Sequence, residues 1–163
     1  MLPQDEKLYD STLAMETLKT MFAIGYEVII DTKEEQKRLK LLKLNNTYLQ
    51  SNGYKPSPLD LNSIVLNDKM EQLVELLAEN THNVWAKERI RTGWTYGVCE
   101  NTAQKRHPYL LPYDKVDNVI KKANRETSLD TVKTLLAYGY IIEAPVQSDE
   151  SGVQIKALGK TFI

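Results

Sequence analysis

A chain of 163 residues is long enough for one domain with a sizeable core. Its 21 basic and 22 acidic residues nearly cancel, which excludes a nucleic-acid interface built on bulk charge; its single cysteine, Cys99, excludes an intrachain disulfide and a cysteine-pair zinc motif. There is no apolar run of the ~18 residues that would mark a membrane span, and the acidic start MLPQDEKLYD lacks the basic-then-apolar layout of a secretory leader, so a reducing, cytosolic setting is expected.

The first predicted element is a helix over 12–24, where Ala14, Leu18, Met21 and Phe22 form one stripe and Gly25 supplies a positive-φ stop. Tyr26, Val28, Ile29 and Ile30 then read as a short strand. Residues 31–43, DTKEEQKRLKLLK, open as a charge run and predict a mobile connector with a short helical turn, a partner-binding helix being the alternative. Asn45, Asn46, Asn52 and Gly53 are loop signals, and Pro56 and Pro58 hold YKPSPLDL extended, with flanking leucines ready to dock on the domain's own helices. Residues 63–66 are predicted as a second short strand.

The longest pattern follows. Met70, Leu73, Val74, Leu77, Thr81, Val84 and Trp85 recur at helical spacing, from Asn67 or Asp68 as N-cap to Gly93 as stop. The segment VCENTAQKRHPYLLPY reads as a loop kept extended by Pro108 and Pro112. Val116, Val119, Ile120 and Ala123 predict a short helix over 113–123. Thr127 and Asp130 have capping-box spacing and predict a new helix start, carrying Leu129, Val132, Leu135 and Leu136 and ending at Gly139. No structure is assigned to the polar tail from Ser148.

One internal repeat stands out. ETLKTMFAIGYEVI at 16–29 lies over DTVKTLLAYGYIIE at 130–143, matching at Thr17, Lys19, Thr20, Ala23, Gly25 and Tyr26. Identities on a helix, its stop glycine and the next tyrosine point to one supersecondary unit used twice. The second copy has the long helix pattern before it and the first does not, so part of the first unit is expected to be missing from this chain.

Enzyme chemistry finds no support: there is no GxSxG, no glycine-rich phosphate loop and no GxGxxG. The two histidines, His82 and His107, lie far apart with no cysteine spacing near them, which argues against a zinc site and for a hydrogen-bonded structural role of His82. KKANRETS resembles a basophilic kinase site at Thr127, but a helix cap uses the same hydroxyl. Binding fits better. WAKER, GWTYG and KRHPY collect aromatic and basic residues, and Trp85 shares a helix face with Arg89, as in sites that hold a planar anionic ligand. A tryptophan packed in the core beneath a solvated charged face satisfies the same pattern.

NGYKPSPLDL, LAENTHNVWAKERIRTGWTYG, RHPYLLPY and TLLAYGY together resemble the repeat domain that occurs in tandem copies in ryanodine receptors, the tetrameric calcium-release channels of the endoplasmic and sarcoplasmic reticulum. The resemblance implies a mainly α, pseudo-symmetric helical repeat module with a few short β-strands. It divides the chain into the closing helix and strand of a first copy (1–30), a connector (31–53), one complete repeat (54–143) and a polar tail or linker (144–163). It implies a non-catalytic domain on the cytoplasmic face of the reticulum membrane. The expected partners are other cytoplasmic domains of the same channel, SPRY domains among them, within a homotetramer, with no nucleic acid and no membrane insertion by this segment. No cofactor is required, and ATP or another adenine nucleotide is the expected modulator. In the family's first tandem pair such a nucleotide is stacked between the tryptophans of two HNxW blocks. On this chain that tryptophan is Trp85, accompanied by Arg89, Lys87 and Arg106; the partner tryptophan belongs to the missing part, which leaves half a site. Tyr109 stands where a basic residue would strengthen phosphate binding, and the family's phosphorylation does not transfer to Thr127. The alternative is a stand-alone protein of the same fold acting as a small-ligand or protein-binding adaptor.

Overall fold

The structure is a computed structural model that describes residues 4–30 and 39–146, with side chains from residue 11 onward. The fold is mainly α with a few short strands: α1 (Gln4–Ala23), β1 (Glu27–Ile30), α2 (Asp68–Arg91), β2 (Thr95–Tyr96), β3 (Arg106–His107), α3 (Asn118–Ala137) and β4 (Tyr140–Glu143). Single 3-10 turns stand at Asn46–Tyr48 and Tyr113–Lys115.

Helix α2 is the centre of the packing. Asn67 caps it, its side-chain oxygen accepting from the Met70 amide at 2.9 Å, and Asp68 and Glu71 complement the dipole in the first turn. At the other end Gly93 takes φ +87° and turns the chain away. Its buried face, Leu73, Val74 and Leu77, meets Met21 of α1, Tyr26, Val132 of α3 and Ile142 of β4 in one core. The Tyr26 hydroxyl donates to the Lys69 carbonyl at 2.9 Å and ties the start of the first strand to α2. Arg125 of α3 donates to both Glu71 and Glu75, joining α3 to the same helix.

The repeat has a geometric meaning. Strands β1 and β4 pair antiparallel, and the register sets Val28 opposite Ile142, its own counterpart in the repeat alignment. Glu27 faces Glu143 and Ile29 faces Ile141, so the two units are related by a local twofold axis through the Val28–Ile142 pair. Thr17 and Thr131, also equivalent, each donate to the carbonyl four residues earlier at 2.9 Å. Gly25 and Gly139 close the two helices with φ +85° and +88°. Alanine at either site must enter the left-handed region, at a cost of about 1–2 kcal/mol. At Gly139 an added Cβ meets nothing within 4 Å, whereas at Gly25 it lies 3.0 Å from Cβ of Pro145. Gly25→Ala is therefore expected to lower the denaturation midpoint more than Gly139→Ala, and equal midpoints would show that Pro145 yields freely.

Three expectations are corrected. Residues 63–66 form no strand: the Ile64 amide donates to the Leu61 carbonyl in a turn, and Val65 is 89% exposed with no strand beside it. The two helices expected over 113–139 are one. Asp117 caps α3 by accepting from the Val119 amide, while the Thr127 hydroxyl donates to Ala123 O at 3.0 Å inside the helix. The Arg125 fork holds that stretch against α2, which favours continued helix over a new cap. The loop after Gly97 also contains β3, which runs parallel to β2; the Thr95 amide donates to Lys105 O at 2.8 Å, and Lys105 itself takes φ +51°. Residues 31–38 of the expected connector and the tail from residue 147 lie outside the described residues. The end of the connector is described, and Leu41 bridges Leu59 of the proline-rich stretch.

Candidate functional site

Helical spacing on α2 places Thr81, Trp85 and Arg89 at successive i+4 positions, with His82 beside them. The polar turns of α3 bring Ile120 and Asn124 opposite, and the β2–β3 pairing returns His107 and Tyr109 to the same place. Together Thr81, His82, Trp85, His107, Tyr109, Ile120 and Asn124 line an open cavity of about 310 Å³.

Its wall is a chain of rings. The Trp85 and His107 centroids are 4.8 Å apart and nearly edge-on, His107 and Tyr109 are 5.3 Å apart, and His82 lies 5.6 Å from both Trp85 and Tyr113. Trp94, beyond Gly93, reaches within 6.1 Å of His107. The Arg89 guanidinium lies 4.7 Å from the Trp94 centroid and 6.0 Å from that of Trp85, so the two indoles hold a planar cation at the margin of the cavity.

Hydrogen bonds fix how much polarity the cavity retains. The buried His82 bonds through Nε2 to Leu111 O at 2.8 Å; a carbonyl only accepts, so Nε2 carries the proton, in the structural role expected from the sequence. His107 Nδ1 accepts from the Tyr109 amide at 3.1 Å, which leaves a neutral ring its N–H on Nε2. The Thr81 hydroxyl donates to Leu77 O at 2.9 Å. The Asn124 side chain has no hydrogen-bond partner among the described residues and lines the cavity with a donor and an acceptor side by side.

The four residues named from the sequence separate here. Trp85, half-buried, forms a wall; Arg89 lies 6.0 Å from its ring and does not itself line the cavity. Lys87 is exposed and Arg106 is exposed, and neither lines the cavity. Lys87 lies half a helical turn from Trp85; Arg106 lies over Gly97, where an added Cβ would stand 2.7 Å from Arg106 Cβ. Arg91 is held elsewhere by Glu88, with contacts of 2.6 and 2.9 Å, and the hydrogen bond from Arg91 keeps the Glu88 carboxyl below its ordinary range. Trp94 was legible only as a member of an aromatic cluster, His107 also as a rejected metal ligand and Tyr109 also as a place where a basic residue would strengthen phosphate binding. Ile120 and Asn124 carried no local signal, since only the packing of α3 on α2 brings them in.

The described residues of this site all fall within one family match. The family model described as RyR domain matches residues 54–144, more than half of the chain. The chain belongs to the RyR domain family. The match spans α2, α3 and β4, and every residue lining the Trp85 cavity of this RyR domain lies inside it. Among the described residues no helix is long and apolar enough to cross a membrane, and no group of three or more His, Cys, Asp or Glu is placed to hold a metal ion.

Two phenols, Tyr113 inside the matched residues and Tyr26 before them, make the stability of the chain sensitive to alkali. Burial raises the Tyr26 hydroxyl above its ordinary value, and burial followed by the Glu75 and Glu79 carboxylates raises Tyr113. In the unfolded chain both ionise near pH ~10. The folded state then holds more protons, so this stabilisation is full below pH ~10 and is lost as pH rises through the raised folded values. Urea midpoints are expected to fall above pH ~10 in the wild type and less so in a Tyr26→Phe, Tyr113→Phe double variant; parallel curves would refute the linkage.

Proposed function

We propose that this RyR domain is a non-catalytic module of a ryanodine-receptor-like calcium-release channel that binds an adenine nucleotide in the Trp85 cavity and conveys its occupancy to neighbouring cytoplasmic domains. The observation that carries this reading is the ring-walled cavity of about 310 Å³ with a guanidinium at its margin. That volume is at the low end for small-molecule sites and suits one base, leaving the phosphates outside. Stacking on an aromatic face is worth about 1–3 kcal/mol per base, and Arg89 offers charge-assisted hydrogen bonds to phosphate. The Asn124 amide matches the amino-donor and ring-acceptor edge of adenine, while no carboxylate lines the cavity to accept the paired donors of guanine. Ile90, Tyr96 and Val98, on the segments beside Arg89 and His107, are 61%, 54% and 83% exposed and offer apolar surface to an adjoining domain. Nucleotide modulates gating only to the extent that it prefers one arrangement of these neighbours.

Calorimetric titration with AMP, ATP and GTP tests the reading. Saturable ATP binding, weakened by salt and tighter than GTP, is expected. No heat or tryptophan-fluorescence change up to millimolar ATP would overturn it.

A further inference from the structure

A second cavity of about 300 Å³ lies between α1 and α3, lined by Leu13, Ala14, Thr17 and Leu18 on one side, Thr127, Ser128, Thr131 and Leu135 on the other, and Thr81 of α2. It shares only Thr81 with the Trp85 cavity. Its walls are the same turn of the two repeat units: Leu13 is equivalent to Thr127, Ala14 to Ser128 and Thr17 to Thr131. Small side chains at the equivalent positions 14 and 128 leave the space between the helices unfilled.

We infer that this cavity is a binding site for a small uncharged alcohol whose hydroxyl meets Ser128 and whose hydrocarbon body fills the space between α1 and α3. No charged residue lines the cavity, so an ionised ligand would lose its hydration without a counter-charge. The four threonine hydroxyls there are spent as donors: Thr17, Thr81, Thr127 and Thr131 each donate to the carbonyl four residues earlier. They line the cavity together with Leu13, Leu18 and Leu135. Ser128 is the exception. It is only 4% exposed, and its hydroxyl has no hydrogen-bond partner among the described residues. Every fully enclosed polar side-chain atom among the described residues has a partner, so the Ser128 oxygen reaches the cavity space. A ligand hydroxyl can take the place of solvent at that oxygen, while its hydrocarbon body is removed from water. An apolar cavity of about 150 Å³ already accepts benzene, so one ring with a hydroxyl fits here.

Cyclohexanol is the probe, followed by ¹H–¹⁵N correlation spectra of the whole chain. Saturable shifts are expected at the amides of 13–18 and 127–135, with those of His107 and Tyr109 unmoved. Ser128→Ala should weaken binding about fivefold to tenfold, the worth of one hydrogen bond. Ala14→Phe, made at an exposed position that lets the fold survive, should fill the space and abolish binding. Cyclohexylammonium should not bind. Shifts that never saturate, or that centre on the Trp85 cavity, overturn the inference. So does undiminished affinity in either variant, or cyclohexylammonium binding as tightly as the alcohol.

Discussion

Leu73→Ala is expected to destabilise the protein by about 3–5 kcal/mol, against the ~5–15 kcal/mol of a typical domain. Leu73 is wholly buried, and its cluster ties α2 and α3, which carry most of the cavity lining, to the rest of the fold: Met21 of α1, Tyr26 before β1, Val74 and Leu77 of α2, Val132 of α3 and Ile142 of β4. Truncation removes the transfer free energy of three carbons and leaves a void that these neighbours close only in part. The Tyr26–Lys69 hydrogen bond and the Arg125 fork anchor the helices on either side, which limits collapse into the void. Ile90→Ala, on the same helix but 61% exposed, is expected to change stability by less than about 0.5 kcal/mol. Urea denaturation of both variants makes the comparison. A loss below ~1 kcal/mol for Leu73→Ala would mean that the helices repack around the site rather than support it.

The contrast between α2 and α3 shows what local sequence carries. Helix α2 was legible at both ends because its apolar period, the Asn67 cap and the Gly93 stop all agree, and packing had nothing to override. In α3 the Thr127 and Asp130 spacing suggested a cap, yet a cap forms only where the helix is otherwise interrupted. Arg125 reaching Glu71 and Glu75 supplies tertiary contacts that favour continuity, and neither partner is near it in sequence. Strands β2 and β3 have two residues each, too short for any alternation to register. The repeat was visible as identities, but the twofold required the β1–β4 register, which only pairing reveals. At the candidate site, i, i+4 spacing put Trp85 and Arg89 on one face of α2 but fitted a core tryptophan as well, and only the resemblance singled them out. Lys87 and Arg106 were named for charge, and charge does not place a side chain; Asn124 was invisible because its contribution depends on where α3 crosses α2.

Trp85→Ala is expected to weaken ATP binding at least tenfold while leaving the protein folded. The indole is half-buried among rings rather than enclosed by aliphatic groups, and its neighbours are His82, His107 and the Arg89 guanidinium. Removing it takes away the stacking face, worth about 1–3 kcal/mol to a base, and one of the two indoles that hold Arg89. Trp94 remains as a fluorescent reporter near His107, so binding and folding can be followed in the same sample. If Trp85 served the core instead, the substitution would cost about 3–5 kcal/mol and the thermal midpoint would collapse. Arg89→Gln separates the two halves of the ligand: it should weaken ATP far more than adenosine, because only the phosphates require the guanidinium. Equal ATP affinity in Trp85→Ala, measured by calorimetry on a protein with an unchanged melt, would remove the cavity from nucleotide recognition and leave the RyR domain its packing role alone.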